Sequence, residues 1–185
     1  MTDSLRPAAY AAIIEAAFEL LVENPGAALG EIAKRAGVGR ATLHRYFSSR
    51  DDLILALTKA AIREMDEAVE VACKDAPSYS DALYLSLGAL LPLGDRYRFM
   101  ATEPLEDHPE IRAEFDRQEQ ETFELVENSK KEGLFDPSVP TAWIAQSFEY
   151  LLYAAWESVT AKECTPAQAN ELAWRTLTKG LGAKP

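Results

Sequence analysis

Two glycines flank a single valine, Gly37-Val38-Gly39, in the middle of residues 31 to 53, EIAKRAGVGRATLHRYFSSRDDL. On either side the apolar spacing is helical, with Ile32, Ala33 and Ala36 before the glycines and Leu43 and Phe47 after them. Glycine lets a backbone leave helical space. The stretch therefore reads as two short helices, about 29–36 and 40–46, joined by a tight turn at Gly37 and Gly39. Ala33 and Ala36 supply the small residues such a crossing needs, and Val38 can plug the core beneath the turn. Ile32, Leu43 and Phe47 have the spacing to close a three-helix core with Phe18 and Leu21 of a preceding helix.

The rest of the chain also reads as helix, with no sustained alternation of β-branched residues. A first helix has Ser4 as its cap, Pro7 in its opening turn and an apolar stripe of Ile13, Ile14, Ala17, Phe18, Leu21 and Val22, and ends at Asn24-Pro25-Gly26. Ser49 caps a long fourth helix to about Lys74, with Asp51 and Asp52 in its first turn. Further helices are expected at 80–91, broken by Pro92, and at 95–103, stopped by Pro104. A charged helix opens at Pro109 and closes at Gly133, an apolar one runs from 140 to 161, and the last is capped by Thr165-Pro166 and ends near Gly180. The expected fold is all-α with about nine helices, divided into a helix-turn-helix head over residues 1–50 and a larger helical domain over 51–185.

The head's chemistry is set by charge. The chain is acidic, with a net charge of -11, yet residues 1–50 hold six basic and five acidic groups. From Ile32 to Arg50 there are five basic residues and no acid. A positive patch on a negative body orients a protein on a polyanion, although a solvated face with no partner would have the same composition. The helix-turn-helix favours the polyanion, because its second helix fits the major groove of DNA. Arg40 stands at the start of that helix, where an arginine can pair bidentately with guanine. Ala41 and the Thr42 methyl suit a thymine methyl, while the Thr42 hydroxyl can instead bond a phosphate. His44, Tyr46 and Arg50, with Lys34 on the bracing helix, are candidates for phosphate contacts that set register, and Gly39 and Arg45 complete the DNA-binding candidates.

With these residues in view, positions 10–55 resemble the N-terminal domain of TetR-type bacterial transcriptional regulators. The matches are Ile32-Ala33, Ala36-Gly37-Val38, Thr42-Leu43, Tyr46-Phe47, and Arg50 with Leu53. Two departures stand out. The family commonly has Tyr at the position of His44 and His at that of Tyr46, so the two aromatic donors are exchanged. It also often opens the second helix with Ser or Thr, where this chain has Ala28-Leu29. The resemblance implies a homodimer built on the last two long helices, an operator of double-stranded DNA, and an effector. Ligand in the C-terminal domain would move the fourth helix and spoil the spacing of the two recognition helices.

The residues bear on the dimer independently. On the 140–161 helix Ile144, Phe148, Leu151, Leu152, Ala155 and Val159 make one stripe, while Trp143, Tyr150, Tyr153, Ala154 and Trp156 cover much of the rest. A helix apolar on nearly all sides is buried on more than one face, inside its own domain or against a partner. Phe148, Leu152, Ala155, Trp156 and Val159, with Leu172 and Leu177 of the last helix, are the interface candidates. A twofold dimer predicts a palindromic operator. For a small apolar effector the candidate lining is Tyr84, Leu87, Leu91, Phe99, Met100, Phe115, Phe123, Trp143 and Tyr150, each of which would serve equally as ordinary core.

Other classes find little support. There is no GxSxG, phosphate-binding glycine loop, HExxH or cysteine–histidine spacing, so no enzyme, cofactor or metal site is expected. Cys73 and Cys164 lack metal or CxxC spacing and are expected as free thiols. No apolar run reaches membrane-span length and MTDSLRPAAY lacks the apolar core of a signal peptide, which points to the cytoplasm, at the nucleoid. The expected function is a ligand-responsive regulator, a repressor. The alternative is a ligand-independent DNA-binding scaffold that docks a protein through its acidic C-terminal domain.

Overall fold

The structure, a computed structural model, describes residues 5–103, 105 and 108–181. Among these it has nine α-helices and a single 3-10 turn. They are α1 (Leu5–Glu23), α2 (Leu29–Arg35), α3 (Arg40–Tyr46), α4 (Arg50–Cys73) and α5 (Tyr79–Leu90). The 3-10 turn Leu91–Leu93 carries Pro92, and α6 (Gly94–Thr102), α7 (Pro109–Lys131), α8 (Thr141–Thr160) and α9 (Pro166–Leu181) follow. Among the described residues, no helix is long and apolar enough to cross a membrane. Ser4 and Pro104, read as a cap and a stop, lie outside the described residues.

The boundaries follow from local chemistry. Ser49 Oγ accepts the N–H of Asp52 at 3.0 Å and starts α4. The Asp52 carboxylate accepts the Ser48 N–H at 3.1 Å and also binds the Ser48 hydroxyl. These bonds, that from the Ser48 hydroxyl foremost, hold the Asp52 carboxyl below its ordinary pKa. Thr165 and Gln168 form a reciprocal capping box at α9, with Thr165 N–H donating to Gln168 Oε1 at 2.9 Å and Gln168 N–H to Thr165 Oγ1 at 3.3 Å. At the end of α7, Gly133 has φ +89° and Leu134 N–H reaches back to Ser129 O at 3.2 Å. The same closure ends α8, with Lys162 at φ +60° and Glu163 N–H on Ser158 O at 3.0 Å.

The chain divides into two compact units, 1–63 with 95–111 and 64–94 with 112–185. The first is larger than the 1–50 head read from the sequence, and packing explains why. Its core is Ile13, Ala17, Phe18, Leu21, Ile32, Ala33, Leu43, Phe47, Leu53 and Leu57, all at most 3% exposed. Phe99 of α6 completes it, wholly buried and edge-on to Phe18 at 5.4 Å. Arg96 lies 4.5 Å over the same ring and pairs with Glu15 at 2.7 Å. In the second unit α8 packs along α9, and α9 packs on α5. Leu83, Leu87, Val126, Phe135, Ile144, Phe148, Leu152 and Trp156 fill its core.

Candidate nucleic-acid interface

α2 turns into α3 through a full Schellman closure. Val38 N–H donates to Ala33 O at 2.9 Å and Gly37 N–H to Lys34 O at 3.2 Å, with Gly37 at φ +67°. Only glycine takes that conformation without steric cost. Gly39 is different. As N-cap of α3 it has φ -71° and ψ 149°, open to any residue, so only Gly37 serves the turn as the sequence suggested. Ala28 gives α2 no side-chain cap, as expected, but the Glu31 carboxylate accepts the Ala28 N–H at 2.8 Å and closes that end from within.

Leu43 and Phe47 point α3 into the core, which fixes what the helix shows to solvent. At 3.6 residues per turn, Ala41 and Arg45 form its outer crest. Arg40 and His44 lie along one edge, Thr42 and Tyr46 along the other. Ala41, His44 and Arg45 are exposed and Thr42 and Tyr46 half-buried. The Arg40 guanidinium lies on α2: a Cβ built on Gly30 would stand 2.8 Å from Arg40 Nε. Gly30 thus makes room for the Arg40 guanidinium. Its sequence signal was a glycine inside a short helix, where it is intrinsically unfavourable.

The five basic residues of the segment separate into two groups. Arg35 faces α1, 3.4 Å from Glu19 and 3.6 Å from Glu23. Arg50 turns inward, donating to Ala27 O at 2.8 Å and Pro25 O at 2.5 Å, with the largely buried Glu103 carboxylate 3.5 Å away. The sequence expects a phosphate contact at Arg50; in the structure both terminal guanidinium nitrogens bond the α1–α2 loop and tie it to the start of α4. Lys34, Arg40 and Arg45 make no ion pair among the described residues, and Lys34 and Arg45 are exposed. Arg45 packs over the Tyr46 ring at 5.7 Å.

The candidates in the rest of the chain are redistributed. Phe148, Leu152, Ala155, Trp156 and Leu177, expected at a dimer interface, are at most 5% exposed within the single chain. Trp156 donates its indole N–H to Leu90 O at 3.0 Å and packs on Gly94, where an added Cβ would lie 2.8 Å from Cδ1. Val159 is half-buried and Leu172 exposed. The outer face of α8 carries Trp143 at 61% and Tyr150 at 75% exposure, two residues assigned to an effector lining. With α8 apolar all round, its sequence did not tell the inner stripe from the outer.

Of the other lining candidates, Leu87 and Leu91 are buried in the second unit and Phe115 and Phe123 half-buried there. Phe99 and Met100 belong to the first unit, Phe99 as core. Tyr84 donates to Glu171 at 2.6 Å and meets the Trp174 ring at 5.2 Å. That hydrogen bond to the carboxylate raises the Tyr84 pKa above its ordinary value.

A small three-helix core, a helix-turn-helix with a Schellman closure and, among the described residues, cations without ion-pair partners on and beside its second helix are the features of a DNA-binding regulator. Residues 13–57 match the family model described as bacterial regulatory proteins, tetR family. The HTH-type transcriptional repressor LfrR of Mycolicibacterium smegmatis is 34% identical over 177 residues, 94% of this chain and 90% of that protein. This chain belongs to the TetR family. The structure of LfrR in complex with proflavine, from Mycobacterium smegmatis, superposes with a TM-score of 0.81 at 30% identity, covering 97% of this chain and 99% of that one. A TetR family regulator from Marinobacter aquaeolei shares the fold, with a TM-score of 0.79 at 20% identity over 96% of this chain and 97% of its own.

Proposed function

We propose that this regulator is a repressor that binds a palindromic operator as a homodimer and is released by a small apolar effector. The observation that carries the DNA half is the set of cations without acidic partners among the described residues, Lys34, Arg40 and Arg45, around the exposed face of α3. Arg40 would read a base, Lys34, Arg45 and His44 would hold phosphates, and Ala41 and Thr42 would meet a thymine methyl. Tyr46, half-buried on the α1 edge, would reach the backbone with its hydroxyl.

The dimer is supported by the outer face of α8. Trp143, Tyr150 and Tyr153, with Leu172 on α9, are large apolar side chains left at the surface of the second unit. Large apolar side chains exposed along one helix and its packing neighbour favour an association surface there. Release is supported by LfrR, a repressor whose structure holds proflavine. Leu87, Leu91, Phe115 and Phe123 are the second-unit side chains we assign to the effector. α4 belongs to both units, Arg50–Arg63 to one and Glu64–Cys73 to the other, so a ligand-driven change has a continuous helix to act through. The ligand acts only by preferring the DNA-incompetent state.

The test is binding of the purified protein to DNA flanking its own gene, titrated against salt and random duplex, then against proflavine. Tight binding that survives competitor, two chains per site, and release by proflavine support the reading. If binding vanishes equally with random DNA, and selection from random duplexes yields no preferred site, the repressor reading is wrong. Selective binding that no ligand reverses would favour the ligand-independent scaffold.

A further inference from the structure

The exposed surface of α3 continues onto α1. The Arg40–His44 edge of α3 lies toward α2, where Arg40 rests on Gly30. The opposite edge, Thr42 and Tyr46, lies toward α1, and one α1 side chain meets it. The Tyr10 ring is 5.9 Å from Tyr46 at 63°, an edge-on contact, and 5.7 Å from Phe47. Phe47 is core, 3% exposed, so the cluster is anchored from beneath, while Tyr10 itself is 38% exposed. The Tyr10 hydroxyl has no hydrogen-bond partner among the described residues.

We propose that Tyr10 is a DNA-binding residue of this regulator, holding Tyr46 in place through its ring and donating its own hydroxyl to a backbone phosphate beside the bases under α3. The proposal rests on the reading of α3 as the recognition helix. Three features argue for it. The Tyr10 ring meets the Tyr46 ring edge-on and rests on the buried Phe47, so it supports Tyr46 from the side. A tyrosine presents an apolar ring to the protein and a polar tip to water or a ligand, which is the arrangement Tyr10 adopts. A hydroxyl suits the phosphate oxygens that take most protein–DNA hydrogen bonds.

The experiment compares Tyr10→Phe, Tyr10→Ala, Tyr46→Phe, the Tyr10→Ala/Tyr46→Phe pair, Arg40→Ala and Arg45→Ala on a selected operator and on random duplex, with thermal melts of each protein. Tyr10→Phe keeps the ring cluster and removes only the hydroxyl. It is expected to melt like wild type and to weaken binding to both DNAs alike, by about threefold to tenfold, the loss of one hydrogen bond. Tyr10→Ala should weaken binding further, and Tyr46→Phe should cost less in that background than alone, because the two side chains act together. Arg40→Ala should instead lower the ratio of operator to random binding. If Tyr10→Phe and Tyr10→Ala both bind as wild type while Arg40→Ala loses discrimination, Tyr10 is outside the interface and the proposal fails alone. If Arg40→Ala and Arg45→Ala are also silent, the recognition-helix reading fails and takes the proposal with it.

Discussion

Replacing Gly30 with alanine should separate stability from sequence reading in a single step. A methyl there would stand 2.8 Å from Arg40 Nε, 2.9 Å from Nη2 and 3.0 Å from Cζ. No real Cβ contact is that short, so one side must give. The guanidinium is the end of a flexible side chain, so Arg40 will move and the backbone will not. Glycine within a helix is disfavoured relative to alanine by roughly 0.8–1.0 kcal/mol. Gly30 is the second residue of α2, so the gain should be somewhat smaller, about 0.5 kcal/mol, still positive. For a chain of this size that is a rise in Tm of about 1–2 °C. The effect on DNA has the opposite sign. A bidentate arginine–guanine pair contributes roughly 1–3 kcal/mol of discrimination. An Arg40 displaced from Gly30 starts from a different rotamer and forfeits part of it, a fall in operator preference of about fivefold or more per half-site, with random-duplex binding nearly unchanged. The assay is a melt alongside competition binding for wild type, Gly30→Ala, Arg40→Ala and the double variant. The two substitutions should be strongly non-additive, since one acts through the other. A Gly30→Ala protein that melts lower than wild type, or whose loss simply adds to that of Arg40→Ala, would refute the reasoning.

Other consequences are as direct. Arg45→Ala should flatten the salt dependence of DNA binding by about 0.9 in log–log slope per phosphate released. Arg35→Ala, whose partner acids lie on α1, should leave that slope unchanged, a contrast readable from binding at several salt concentrations. The Glu132 carboxylate accepts the Ser80 hydroxyl and the Tyr79 and Ser80 N–H groups at the start of α5. These bonds, that from the Ser80 hydroxyl foremost, lower its pKa. Its stabilisation is present above the unfolded value of about 4.3 and is lost as pH falls through the folded one. Glu132→Gln should therefore flatten the acid limb of a stability–pH curve of the whole chain, and an unchanged limb would rule out this carboxylate as a contributor. Lys162 sits at φ +60°, so Lys162→Gly should raise stability by a fraction of about 1 kcal/mol, seen as a higher denaturant midpoint.

What the sequence disclosed was local. Ser49, Thr165, Gly37 and Gly133 act on atoms within five residues, and the helix ends they mark lie where their spacing predicted. The head's core was legible because Phe18, Leu21, Ile32, Leu43 and Phe47 repeat at helical spacing. What stayed hidden was set by distant partners. Arg50 counts as one more positive charge until its acceptors 23 and 25 residues away are known. Phe99 reads as one aromatic among several until Phe18 is found against it. The faces of α8 could not be assigned because Trp143 and Trp156 are equally apolar, yet one is 61% exposed and the other 1%. The exchange of His44 and Tyr46 was visible, but its companion on α1 was not, since nothing near Tyr10 in the chain names Tyr46.

The placement of α6 also bears on how such proteins are recombined. Hybrid regulators are made by splicing the DNA-reading end of one chain to the sensing end of another, and a single cut after α3 or within α4 is the obvious design. Here that cassette is discontinuous, because residues 95–111 return to it after the chain has already contributed 64–94 elsewhere. A graft of residues 1–63 alone would leave Phe18 without the Phe99 ring and Arg50 without Glu103. A working chimera must carry both pieces, or choose a recipient whose own sixth helix offers an aromatic and an acid at the same two places.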